Sequence, residues 1–145
     1  MCVENVQLVD LSIHSDFYGS LIAIEELQDI PFDIKRVYYI FDVGKDIRRG
    51  FHAHRNLQQA LICLHGSVKI LVKTPYSEDN IILNSPQRAL LIGPMVWREM
   101  YDFSPEAVLL VLASDHFIPD EYIRDYTLYA QEAIVYFDTQ KDIIK

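Results

Sequence analysis

The stretch Arg49-Gly50-Phe51-His52-Ala53-His54 lies among short runs of β-branched and aromatic residues, and its reading decides the fold. Side chains in a strand alternate between faces, so His52 and His54 share one face and Ala53 takes the other. Two imidazoles on one face can hold a metal, move protons on a bound molecule, or simply pack in a core as satisfied histidines.

Outward from this stretch the chain breaks into strands: Val6–Ile13, Gly19–Glu25, Arg36–Val43, Arg49–His54, Gln58–His65, Val68–Thr74, Asn80–Leu83, Ala89–Ile92, Trp97–Phe103 and Ala107–Ala113. They stop at Gly44, Gly66, Pro75, Pro86, Gly93 or Pro105, residues that end strands by their backbone restrictions or freedom. So many short strands predict a sandwich or barrel. From Asp120 to about Phe137 the apolar spacing is helical, with Pro119 and two acids at its start. The tyrosines of that segment are read as packing against the barrel or a second subunit, with no catalytic role.

With 145 residues, half of them hydrophobic, the chain is expected to form one domain over residues 1–145. No apolar run is long enough for a membrane span and no secretory signal is visible, so a soluble cytoplasmic protein is expected. A net charge of −8 without a basic stripe argues against a nucleic-acid partner. Cations concentrated near one site, here Arg36, Arg49 and Arg98, still suit an anionic small ligand because guanidinium binds diphosphate in a bidentate manner. Arg48 and Arg55 read as surface ion-pair partners. Cys2 and Cys63 do not suggest a disulfide framework.

The frame His52, His54, Gln59, Gly66 resembles the first motif of the cupin β-barrels, a His-x-His followed by an acid and then a glycine. Gln59 stands in place of the acid, and the second motif region, Gly93–Glu99, contains no histidine. The cationic Arg98 would oppose a metal's charge. The expectation is therefore no metal and no other cofactor, with Glu99 as the acid that keeps a metal-dependent reading open beside His52 and His54.

Longer blocks narrow the resemblance: Ile30–Ile40, Arg49–His54, Val96–Ser104, Ala107–Ser114 and Asp120–Tyr126. Together they resemble the dTDP-4-keto-6-deoxyglucose 3,4-ketoisomerases, the WxcM-like group of cupin enzymes in bacterial deoxysugar synthesis. The resemblance implies an all-β fold, a cupin-type double-stranded β-helix or jelly-roll barrel with a C-terminal helix. It implies a homodimer with exchanged N-terminal strands, for which Val6–Ile13 is the candidate arm. The implied substrate is a dTDP-linked 4-keto-6-deoxy sugar, whose ketone moves from carbon 4 to carbon 3 on the way to 3-amino-3,6-dideoxyhexoses of surface glycans.

For that reaction His52 is expected to carry the proton between carbons and His54 to assist at the oxygens, with the reverse assignment left open. Tyr38 is the third catalytic candidate, as a donor to the sugar oxygens or a support for an imidazole. Arg36 and Arg49 are expected at the diphosphate, and Arg98 and Tyr18 near carbon 4 or the diphosphate. Trp97 is expected on the base or sugar, or else in the core. Gln59 is expected to hydrogen-bond an imidazole. A non-catalytic sugar-nucleotide-binding cupin is the remaining alternative.

Overall fold

Val68, Ile70 and Val72 are wholly buried while Lys69, Leu71 and Lys73 between them are only partly so, the period-two pattern of a strand with one face on a core. In the computed structural model, which describes residues 2–144, such strands build two five-stranded sheets. The elements are β1 (Val6–Asp10), β2 (His14–Asp16), β3 (Gly19–Leu21), β4 (Arg36–Ile40), β5 (Arg49–His54), β6 (Gln59–His65), β7 (Val68–Lys73), β8 (Glu78–Leu83), β9 (Arg88–Ile92), β10 (Trp97–Tyr101), β11 (Val108–Ala113), β12 (Tyr122–Ile123) and α1 (Tyr126–Ile144). One sheet runs β1-β9-β6-β11-β4 and the other β12-β5-β10-β7-β8, while β2 and β3 form a separate hairpin. The named strand pairs are antiparallel.

Leu61, Cys63, Val68, Ile70, Val72, Leu83, Leu90, Leu109 and Val111 fill the space between the sheets. Strand β6 is buried on both faces: Ala60 and Ile62 turn outward onto Leu11, Ile30 and Phe32. The outer face of the second sheet is covered by α1, whose Tyr129, Ala133 and Phe137 pack on Ala53, Met95 and Trp97. The Tyr129 hydroxyl lies 2.9 Å from the carbonyls of both Lys73 and Met95, tying the helix to this sheet. The histidine strand is thus held from behind by the helix and faces the barrel interior with its other side.

Three expected boundaries are corrected. The first strand stops at Asp10, ahead of a hairpin strand, His14–Asp16, that was not expected; the strand from Gly19 stops at Leu21. The helix does not start at Asp120. Residues Pro119–Glu121 form one 3-10 turn, Tyr122 and Ile123 pair with His54 and Ala53, and the helix follows. Asp125 begins it, its carboxylate accepting from the backbone N–H of Thr127 at 2.8 Å and Leu128 at 3.3 Å, the bonds of an N-cap. Among the described residues no helix is long and apolar enough to cross a membrane.

One irregularity shapes the site. Arg98 of β10 pairs with His52, but its neighbour Glu99 pairs with Gly50, so Phe51 is an extra residue in β5. It has φ 56°, left-handed backbone that a non-glycine residue adopts at a cost, as expected of a bulge next to a functional site. Gly50 has φ 95°, and a Cβ there would lie 2.9 Å from the Arg98 carbonyl oxygen, so position 50 has no room for a side chain. Because of the extra residue, Arg49 pairs with inward-facing Met100 and shares the inner face with His52, which strict alternation from His52 forbids.

Candidate active site

Beyond the bulge, His52 and His54 both turn into the barrel. Their ring centroids are 4.8 Å apart and the planes nearly perpendicular at 83°. His52 lines a cavity of about 520 Å³ together with Arg36, Tyr38, Arg49, Tyr122 and Arg124. His54 lies behind it, with no exposed surface and no partner for either nitrogen. The His52 Nδ1 is also buried without a hydrogen bond, which leaves Nε2 as the nitrogen on the cavity side.

Burial removes the water that would stabilise an imidazolium, and the Arg98 cation opposes a second charge. Together they push the His52 pKa down from 6.5 to about 4, partly offset by the Gly50 carbonyl. His54 is shifted the same way for the same two reasons, with the His52 ring adding to them. Both rings are therefore neutral at pH 7, and His52 is free to accept a proton.

Arg98 is 1% exposed. One terminal nitrogen donates to the Gln59 carbonyl oxygen at 2.6 Å and the other to the Val96 backbone oxygen at 3.0 Å, while Nε has no partner. Burial pulls its pKa down to about 10, so it stays charged at neutral pH. Among the described residues no carboxylate pairs with it, and an uncompensated buried charge costs several kcal/mol. Gln59 continues the chain by donating from Nε2 to the Tyr38 hydroxyl oxygen at 3.2 Å. The Tyr38 oxygen thus accepts from the protein and keeps its own proton for the cavity, and burial raises its pKa, which preserves that proton.

The donor set does not fit a divalent metal. It offers two imidazoles and a buried cation. Glu99, the acid that a metal reading needs, points to the other side of β10, where it accepts from Arg48 at 2.6 Å and from the Trp97 indole N–H at 2.8 Å. Among the described residues no group of three or more His, Cys, Asp or Glu side chains is placed to hold a metal ion.

Residues 4–134 match the family described as FdtA: WxcM-like, C-terminal. The chain belongs to the FdtA family. This FdtA-family chain is 51% identical over 111 residues to the TDP-4-oxo-6-deoxy-alpha-D-glucose-3,4-oxoisomerase of Aneurinibacillus thermoaerophilus, covering 77% of this chain and 80% of the relative. It superposes on QdtA, a sugar 3,4-ketoisomerase from Thermoanaerobacterium thermosaccharolyticum in complex with TDP, with TM-score 0.92 and 54% identity, covering 94% of this chain and 99% of that one. A His→Asn mutant of QdtA is in complex with TDP-4-keto-6-deoxyglucose. WlaRB, a TDP-quinovose 3,4-ketoisomerase from Campylobacter jejuni, superposes with TM-score 0.86 and 45% identity over 89% of this chain and 99% of its own. The fold of the FdtA-family chain is accordingly the cupin-type jelly roll expected from the sequence.

Of the residues singled out in the sequence, the barrel of this FdtA-family protein brings His52, His54, Tyr38, Gln59 and Arg98 together, with Arg36 and Arg49 on the cavity wall. Arg48 and Arg55 are ion-paired with Glu99 and Glu132. Two expectations are corrected. Gln59 does not hydrogen-bond an imidazole; its amide bridges Arg98 and Tyr38. Trp97 does not face the cavity; alternation puts it on the outer side of β10, its ring 5.1 Å from Tyr126 and 5.5 Å from Tyr129. Tyr18 sits at the tip of the β2–β3 hairpin, 92% exposed and outside the cavity of its own chain.

Sequence reasoning in this FdtA-family chain missed Tyr122 and Arg124. Helical spacing puts Tyr122 on a packing face, yet its ring lies 5.0 Å from that of His52 and 4.3 Å from that of His54. The signal that separates it from Tyr126 and Tyr129 is Asp125, an N-cap residue type that sets the helix start after it.

Proposed function

We propose that the protein is a TDP-sugar 3,4-ketoisomerase that converts dTDP-4-keto-6-deoxy-D-glucose to a 3-keto-6-deoxyhexose without a metal. The observation that carries this reading is the pairing of a neutral, cavity-facing imidazole with a buried guanidinium that has no carboxylate partner. Moving a ketone between adjacent carbons requires a base for the carbon-bound proton and a cation for the oxyanion that forms. The activities of QdtA, WlaRB and the Aneurinibacillus oxoisomerase support the same reading.

In this mechanism His52 Nε2 removes the proton from carbon 3. The electron pair of that bond forms the carbon 3–carbon 4 double bond, and the ketone oxygen on carbon 4 becomes an enediolate oxygen, stabilised by the charge of Arg98 behind the cavity wall, which is linked to the cavity through Gln59 and Tyr38. That oxygen gains a proton, the carbon 3 hydroxyl loses one, and His52 returns its proton to carbon 4. The product is the 3-ketone with no change in composition. The Tyr38 hydroxyl serves the oxygens, since its proton is free. The negative charge of the diphosphate and of the enediolate raises the His52 pKa as the reaction proceeds, which strengthens a base whose empty-site pKa is about 4. Arg36, Arg49 and Arg124 line the same cavity as His52, and in this reading they bind the diphosphate. His54, without access to the cavity, supports His52 from behind.

The same reading includes a soluble cytoplasmic homodimer with exchanged N-terminal strands, acting in the synthesis of 3-amino-3,6-dideoxyhexoses for surface glycans. Phe17 and Tyr18 are 95% and 92% exposed on their hairpin, a cost in water that a second copy would remove. NMR of chelator-treated protein with dTDP-4-keto-6-deoxyglucose in deuterated water tests the function. Formation of the 3-keto sugar with deuterium entering the sugar is expected. Turnover that needs added metal, or binding without exchange, would overturn it.

A further inference from the structure

The two imidazoles of this site have almost no hydrogen bonds to orient them. Both nitrogens of His54 and Nδ1 of His52 are buried without partners, so no directed bond of the kind that usually fixes a catalytic histidine is present at these atoms. Packing must therefore set the ring angles, and one side chain touches both. Tyr122 sits directly opposite His54 in the β12–β5 pairing, its ring 4.3 Å from the His54 centroid at 65° and 5.0 Å from the His52 centroid at 48°. The Arg124 guanidinium is stacked 4.5 Å from the same ring, and Phe117 abuts it at 5.7 Å.

The strand that carries Tyr122 is only two residues long, too short to place a ring by itself. It is tied down by its neighbours. The Glu121 carboxylate accepts the backbone N–H of Leu57 at 2.7 Å and also that of Asn56, while the Glu121 carbonyl accepts the N–H of Arg55 at 3.1 Å. The Arg55 side chain returns to the Asp120 carbonyl at 2.7 Å. Ile123 beside it is buried under the helix. The ring is thus fixed from both ends of a segment that crosses the open side of the histidine strand.

We propose that Tyr122 is a positioning residue of the active site, its ring wedged against both imidazoles to hold His52 at the angle at which Nε2 meets the substrate carbon. The effect is that of the ring and does not require the hydroxyl, which has no hydrogen-bond partner among the described residues. Charged and titratable groups around the pair are Arg49 on β5, Arg98 on β10, Arg36 and Tyr38 on β4, and Arg124 after β12. Removal of the ring admits water between them and lets His52 rotate.

The proposal rests on the ketoisomerase reading, and its test separates the two. Tyr122→Leu and Tyr122→Met remove the flat ring while keeping apolar volume, and Tyr122→Phe keeps it. Turnover of dTDP-4-keto-6-deoxyglucose is expected to lose about 10- to 100-fold in kcat with KM within about threefold for Leu or Met, and Tyr122→Phe is expected to recover kcat to within about threefold of wild type. Nitrogen-15 NMR titration of the same proteins without substrate is expected to move the His52 pKa up toward its ordinary value in Leu or Met and to leave it low in Phe. If the wild type does not turn over this sugar, the ketoisomerase reading fails while the titration still decides on Tyr122. An unshifted His52 and unchanged kcat in whichever of the Leu and Met variants folds would overturn the proposal. So would a Phe variant as impaired as those two, which would assign the effect to the hydroxyl.

Discussion

Arg98 and His52 occupy paired positions on β10 and β5 and point into the same interior, a buried guanidinium opposite a neutral imidazole. Each affects the other. Burial first and the cation second keep the imidazole unprotonated, and in the proposed mechanism the guanidinium gains a counter-charge only when the substrate becomes an enediolate. On that mechanism the site is electrostatically incomplete until the reaction supplies the anion.

Arg98→Met is expected to lower kcat by about 10²- to 10³-fold, the scale of losing one preorganised oxyanion donor. Thermal stability should be kept or increased, because an unpaired buried charge is replaced by an apolar side chain. Steady-state kinetics and a melting curve on one preparation check both parts. A large drop in melting temperature would show that the guanidinium is structural.

His52→Asn and His54→Asn should differ in kind. Loss of the ring on the cavity wall is expected to abolish deuterium entry at the sugar carbons, a loss of about 10²- to 10⁴-fold typical of a general base. Loss of the ring behind it should slow turnover while leaving exchange measurable. Comparing exchange rates by NMR distinguishes the two, and equal residual rates would return the assignment to the open state in which the sequence leaves it.

Stability should fall on the acid side through His52. Its pKa is about 4 folded and 6.5 unfolded, so between these values the unfolded chain binds a proton that the folded chain excludes. The contribution is fully present above pH 6.5 and lost as pH falls toward 4, roughly 3 kcal/mol across the window. Melting curves of wild type and His52→Asn at about pH 7 and about pH 4.5 should show a smaller acid-induced loss in the variant. Parallel losses would place the proton uptake on other groups.

Gly50→Ala is expected to destabilise the fold by about 2 kcal/mol or more, since it combines positive φ with backbone crowding. The Cβ would lie 2.9 Å from the Arg98 carbonyl oxygen and 3.2 Å from the Glu99 Cα, both backbone atoms unable to move alone. Denaturant titration measures the stability and the same protein's kcat reports the site. Unchanged values of both would mean that the bulge relaxes freely.

Strand alternation made much of this legible in advance. Period two puts His52 and His54 on one face, and the runs ending at Gly66, Pro75 and Gly93 mark barrel strands that the structure contains. Alternation also separates Arg98 from Trp97 and Glu99, and applying it strictly to Trp97 would have removed that residue from the cavity list. Arg49 and Tyr122 mark the limits of the method. Arg49 reaches the inner face only because Phe51 is an extra residue, and bulges leave no compositional trace beyond Gly50. Tyr122 falls at a spacing compatible with a helix; Asp125 marks it as lying before the helix start, but its pairing with His54 is a long-range contact that local spacing does not encode. Gln59 was found by motif position, but its partners depended on Arg98 entering the barrel, a long-range arrangement that local spacing does not encode.

The extra residue in β5 implies that good pairing and good chemistry are opposed in this strand. The same six residues paired with β10 as an unbroken ladder would escape the left-handed backbone at Phe51, a gain for the sheet. That unbroken pairing of all six residues would turn Arg49 out into solvent whenever the histidines stayed inside, and would turn the histidines out whenever Arg49 stayed. No continuous register of this hexapeptide presents all three side chains to one cavity, so the left-handed step at Phe51 is what keeps Arg49 and the two histidines on one wall.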